Sequence, residues 1–195
     1  MLSKTRVTVD AECLRDVKPP YSFGASQYLG NAVTCSLSNG EIYKDWVQDS
    51  SIFPFWKYIV SHELIISFNG LNFDYPLWGG SILGPEHIEA RSFFQKTLKG
   101  KTVDLLKDFQ EALGVMVGLE AVAIPTLGNE FKKEMAGGFA PEQWRKGNCL
   151  DVILYCHGDV LRTDKLFELA CKGEKLKVQL KDGSIKEFSC TPKIR

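Results

Sequence analysis

The chain has 195 residues, 44% of them hydrophobic and 25% charged, an ordinary soluble globular composition long enough to bury a core without disulfides or a structural metal, and it reads as one domain over 1–195. Lys+Arg and Asp+Glu are both 24, so there is no overall pull on nucleic acid, though an acidic site and a basic one can coexist locally. No apolar run reaches membrane-spanning length, so no membrane partner is expected. The first ten residues lack a signal-peptide core, and the six cysteines show neither Cys-X-X-Cys nor zinc-finger spacing, so a cytoplasmic protein with reduced thiols is expected.

Residues 5–12 alternate, with Val7, Val9 and Ala11 on one face and Thr8, Asp10 and Glu12 on the other, which predicts a strand with a polar end. The Pro- and Gly-rich stretch 16–30 predicts a loop. Residues 31–37 and 41–47 predict two strands joined at Ser38-Asn39-Gly40, a hairpin signal. Ser50 or Ser51 is the expected cap of a short helix through 55–61, with Pro54 in its first turn. The apolar run 64–68 predicts a buried strand. Asp74 and Pro76 open a helix that Gly79 or Gly84 ends, and 84–101 carries no clear pattern. Val103 closes a short strand, and 104–113 has helical spacing, with Leu105, Phe109 and Leu113 on one face. Residues 119–127 predict a helix broken by Pro125. Asn148 is the expected cap of a long helix over 149–171, and a C-terminal hairpin over about 175–190 turns at Asp182-Gly183. Strands come first, and helices then alternate with single strands, the order of a mixed α/β sandwich.

Three segments carry candidate chemistry. Asp10 and Glu12, two apart on a strand, share a face at about 7 Å between Cα atoms; like charges so close call for a cation or a shared proton. Alone, a solvated strand end explains them. Asp74 follows a buried strand and a Gly turn, where a helix cap is an equal explanation. Tyr155 and Asp159 are four apart on the long helix and so neighbours on one face, where a structural hydrogen bond is the simpler reading.

Taken in order, Asp10-X-Glu12, then Asn69-X-X-X-Phe73-Asp74-X-Pro76, then Tyr155-X-X-X-Asp159 resemble the DnaQ-like exonucleases of the DEDD class. The tyrosine, rather than histidine, resembles its DEDDy branch, which includes the proofreading domains of family B DNA polymerases. The likeness is greatest to stand-alone ribonuclease-H-like exonuclease domains of bacteria and phages, through residues 68–76, Asp104-Leu105-Leu106, Leu127-Gly128, Trp144 and residues 155–160, and it covers about 5–190. It implies an α/β, ribonuclease-H-like mixed sheet of about five or six strands flanked by helices. It also implies a metal-dependent 3′-to-5′ exonuclease with two divalent ions, Mg²⁺ or Mn²⁺. Asp10, Glu12 and Asp159 would hold one ion, and Asp10 and Asp74 the other. Tyr155 would orient the attacking water, since a phenol with a reference pKa of about 10 is a poor base. Asn69 and Phe73 would shape the substrate cleft, Phe73 being equally a core candidate. The family pattern has Thr or Ser after the Glu; Cys13 stands here, which puts substrate grip in question more than chemistry.

The implied partner is a DNA or RNA 3′ end, single-stranded, with DNA favoured and a replication or repair protein as recruiter. The alternatives are a ribonuclease trimming RNA 3′ ends and a non-catalytic nucleic-acid-binding or interaction module on the same fold. Outside the motifs, Asp104 reads as a helix cap or an outer carboxylate. His157 points off the catalytic face, adjacent Cys156 and His157 point to different helix faces, and His62 and His87 have no partner at ligand spacing. The basic groups 96–101, Lys132-Lys133, Arg145-Lys146 and Arg162 are phosphate-binding candidates, solvated surface being the commoner reading.

Overall fold

In the computed structural model, which describes residues 5–19, 22–133 and 137–195, five strands form one mixed sheet. They are β1 (Arg6–Cys13), β2 (Asn31–Ser38), β3 (Ile42–Val47), β4 (Leu64–Ser67) and β5 (Thr102–Asp104), in the order β3-β2-β1-β4-β5. The first three are antiparallel neighbours, as the Ser38-Asn39-Gly40 turn predicts, and β4 and β5 join in parallel on the other side of β1. Among the described residues, seven α-helices accompany them: α1 (Ile52–Val60), α2 (Asp74–Leu83), α3 (Phe93–Thr97), α4 (Leu105–Leu113), α5 (Leu119–Leu127), α6 (Ala140–Arg145) and α7 (Cys149–Cys171). A C-terminal hairpin of β6 (Leu176–Gln179) and β7 (Ile185–Phe188) closes the chain. This mixed sheet flanked by helices, with its terminal hairpin, is the architecture expected for a ribonuclease-H-like chain.

The alternation in β1 divides the molecule. Val7, Val9 and Ala11 join a core with Phe55, Trp78 and Phe94 from α1, α2 and α3. The opposite face of β1 is not solvated; it lies under α7, whose polar residues answer it. Thr8 Oγ1 donates to Asp164 at 2.7 Å, and Arg6 bridges Asp164 and Glu168. Beside this polar seam, Val33, Cys35 and Leu37 of β2 pack on Val152, Cys156 and Val160 of α7. Leu64, Val103, Phe109 and Phe167 build a third cluster that the hairpin covers with Leu176, Val178 and Phe188.

Several local expectations give way to packing. Gly79 does not end α2, which runs to Leu83 and stops at Gly84, φ 86°. A Cβ on Gly79 would lie 1.7 Å from the Ala90 carbonyl oxygen, and one on Gly80 2.0 Å from that of Gln27. The glycine pair therefore admits two backbone segments against the helix, which outweighs its propensity cost of about 1 kcal/mol per residue. One of those segments is a 3₁₀ stretch, Phe23–Tyr28, inside the expected loop. Pro125 lies in the last turn of α5 and does not break it, because Leu119, Val122 and Ala123 are held in the core. Ser51 has helical backbone angles and donates to Gln48 O instead of capping, and Asn148 donates to Gln143. All six cysteines are free thiols, and among the described residues no helix is long and apolar enough to cross a membrane.

Candidate active site

Two elements far apart in sequence bring three carboxylates together. Asp10 and Glu12 stand on the α7 side of β1, and α7 lowers Asp159 between them, so that one carboxylate oxygen of each lies within 4.8 Å of the others. Asp74, first residue of α2 and only 2% exposed, joins them electrostatically through Asp10. All four line one cleft of about 810 Å³, together with Asn69, Phe73 and Cys13. The register of β1 against β2 shifts between Glu12 and Cys13. Such a bulge re-aims side chains, and the buried Cys13 thiol donates to the Arg15 carbonyl at 3.2 Å.

Asp74 owes its position to a tight loop. Asn69 adopts φ 68°, a left-handed conformation that Asn tolerates better than most residues. The Asp104 carboxylate accepts from the backbone N–H groups of Asn69 (3.0 Å), Leu71 (3.1 Å) and Leu106 (3.1 Å). It is therefore both the cap of α4 and the clamp of the loop that delivers Asp74. Gly70 is required there, since a Cβ would sit 2.4 Å from Ser67 Oγ and 3.3 Å from Asp74 Oδ2. Phe73 packs against the α1–α2–α3 core and also faces the cleft, so both readings of it hold.

The basic residues separate into two kinds. Lys133 reaches into the cluster: its Nζ donates to Asp159 Oδ2 at 2.6 Å and to the Tyr155 hydroxyl at 2.9 Å. Arg162 is 7% exposed, and its donors meet Asp159 Oδ1 (2.9 Å) and the carbonyls of Phe131 (2.6 Å) and Lys132 (3.1 Å). It anchors the segment that carries Lys133. Outside the cleft, Lys96 and Lys146 pair with acidic side chains, and Lys101 meets the carbonyls of Val60 and His62. Arg145, at the rim, pairs with Asp16. Nothing in the local sequence distinguishes Lys133 from Lys132; only the long-range closure of 131–133 onto α7 does.

The electrostatics follow from burial. Burial first, then repulsion by Asp159, pushes the Asp10 carboxyl up to about 7, with Lys133 pulling the other way. Burial and the charge of Asp10 likewise hold Glu12 and Asp74 well above the usual carboxylate range. Burial, followed by the charges of Asp159, Glu12 and Asp10, drives the Tyr155 phenol far up, so it stays protonated at neutral pH. Such a group donates or orients; it does not deprotonate. Four crowded carboxylates offering oxygen alone suit hard divalent cations of the Mg²⁺ or Mn²⁺ kind.

No family model matches the sequence, and no curated protein matches it. Among solved structures, the chain is similar to the family B DNA polymerase from the hyperthermophilic archaeon Pyrobaculum calidifontis, with a TM-score of 0.58 and 15% identity over 85% of this chain. The match spans 24% of that polymerase chain, and at this identity the likeness is one of fold.

Proposed function

We propose that residues 1–195 form one two-metal-ion 3′-to-5′ exonuclease domain of the DnaQ-like DEDDy type, acting on single-stranded nucleic-acid 3′ ends with DNA preferred. The observation that carries this reading is the convergence of Asp10, Glu12 and Asp159 within 4.8 Å in a cleft that Asp74 also lines. The fold likeness to a DNA polymerase supports DNA over RNA as substrate.

In this reading Asp10, Glu12 and Asp159 would hold one ion and Asp10 and Asp74 the second. Bound there, such ions supply a nucleophilic water at neutral pH and stabilise charge on the phosphate. The protonated Tyr155 orients the attacking water. With an ion on Asp159, Lys133 would lose its bond to that carboxylate, and its ammonium would be free for substrate phosphate. Asn69 and Phe73 border the site of the terminal nucleotide, with Cys13 below. In this reading a replication or repair protein recruits the domain to nucleic-acid ends.

One observation favours a second reading. Lys133 and Arg162 already neutralise Asp159, as they would in a nucleic-acid-binding module without metal. Incubation of the protein with 5′-labelled DNA and RNA oligonucleotides and Mn²⁺ or Mg²⁺ separates the two. The exonuclease reading expects a ladder shortening from the 3′ end, absent from Asp10→Asn and slowed by up to about 10²–10⁴ in Tyr155→Phe. Binding of oligonucleotide with no cleavage under either metal overturns it in favour of the binding module. Faster shortening of RNA than of DNA assigns the ribonuclease alternative.

A further inference from the structure

A second cluster lies beside the first, under the same helix. Asp10 on β1 is paired with Cys35 on β2, and Cys35 in turn with Asp45 on β3, so the three form a row on the sheet face that α7 covers. Cys156 of α7 leans to one side of this row, its Sγ 3.6 Å from Asp10 Oδ2. His157 leans to the other, its Nε2 2.7 Å from Asp45 Oδ1. The Cys35 sulfur, an Asp45 carboxylate oxygen and a His157 ring nitrogen all lie within 4.8 Å of one another. Tyr43, on the same face of β3, stacks on the imidazole at 4.4 Å and fixes its plane.

We propose that Cys35, Asp45 and His157 form a second metal site, which takes a borderline ion of the Zn²⁺ class and fastens α7 to the β2–β3 edge of the sheet. The donor set distinguishes it from the first site. Sulfur and imidazole nitrogen select Zn²⁺ over Mg²⁺, whereas the oxygen-only cluster around Asp10 has the reverse preference. The geometry is close to what such an ion needs. With Zn–N and Zn–O bonds of about 2.0 Å in a tetrahedron, the nitrogen and oxygen stand about 3.3 Å apart, so the His157–Asp45 pair must open by roughly half an ångström. Both side chains are placed to do this, at 23% and 31% exposure, and their open side leaves the fourth position to water.

On binding, the Cys35 thiol releases its proton to solvent and the sulfur takes the ion. What it gives up is a 3.9 Å contact with the Ile153 carbonyl, too long to be worth much, and its hydrogen-bonding contact with Cys156, while its contact with Asp45 is replaced by the shared ion. A partly exposed His–Asp pair alone is ordinary; here the sulfur of Cys35, from the β2–α7 core, closes a third corner beneath it. Sequence spacing conceals the site, because Asp45 and His157 are 112 residues apart.

The test uses the full chain with Asp10→Asn and Asp159→Asn, which disables the carboxylate cluster, stripped with chelator and titrated with Co²⁺. The expected result is one equivalent bound with a thiolate-to-cobalt charge-transfer band, displaced by Zn²⁺ and not by excess Mg²⁺. Cys35→Ser should abolish the band. His157→Gln should weaken Co²⁺ binding by about tenfold or more, since even the loss of a ligand's outer partner costs about 10–100-fold. Should Cys35→Ser fail to fold, His157→Gln, at a partly exposed side chain, decides alone. No thiolate band in the folded protein, or a band that survives Cys35→Ser or is untouched by His157→Gln, overturns the site.

Discussion

Lys133 is the residue whose part is least visible before folding. Its ammonium stands on Asp159 and against the Tyr155 hydroxyl, so a divalent ion at Asp159 must displace it. A charge-assisted hydrogen bond contributes about 1.5–3 kcal/mol. Lys133→Met is therefore expected to tighten Mn²⁺ binding by about tenfold in titration calorimetry, while slowing turnover through loss of a phosphate contact. Unchanged Mn²⁺ affinity would remove Lys133 from the site. Asp10 supplies a second residue-scale prediction. Its folded carboxyl titrates near 7 against an ordinary value of 3.8. Between those values the folded chain keeps a proton that the unfolded chain has lost, so stability contributed by Asp10 is present at the acid end and falls as pH rises through the window. In chelator, the melting temperature of the wild type should therefore decline more steeply with pH than that of Asp10→Asn. Parallel pH profiles for the two would contradict the crowding described here.

Among the elements, Asp104 ties three together: the end of β5, the cap of α4 and the loop before α2. Asp104→Ala strands the buried N–H of Leu106 and the partly buried ones of Asn69 and Leu71, and should cost about 3 kcal/mol, read as a shifted denaturation midpoint. Because the same loop delivers Asp74, the folded fraction should also lose nuclease activity, whereas a cap alone would leave activity per folded molecule intact. This double role was half legible in the sequence. Asp104 reads as a cap from its place before 105–113, but its hold on Asn69 depends on β4 and β5 being parallel neighbours, which no local pattern encodes. The β1 alternation was legible because each face meets a different layer. Gly79 and Pro125 misled because propensity speaks of an isolated helix, and here Ala90, Gln27 and the core around Val122 decide. The stretch 84–101 gave no period because α3 is only five residues long, anchored by Phe94.

At the scale of the molecule, a net charge of zero conceals one local concentration of acidic side chains. Asp10, Glu12 and Asp159 meet under α7, where burial and mutual repulsion raise the Asp10 and Glu12 carboxyls, and Lys133 and Arg162 are drawn in to compensate. The Asp10, Asp74 and Asp159 motifs were readable because each is a short local pattern, on β1, at the start of α2 and within α7, and the three elements meet at one cleft. The compensating cations were not, since their approach depends on the path of 129–133. Whether this cluster is a two-ion centre is decided by anomalous diffraction from crystals soaked in Mn²⁺. Two peaks about 3.5–4 Å apart are expected, one among Asp10, Glu12 and Asp159 and the other between Asp10 and Asp74, with Lys133 withdrawn from Asp159. Crystals that show no peak at these carboxylates, with Lys133 still bonded to Asp159, would contradict a two-ion centre.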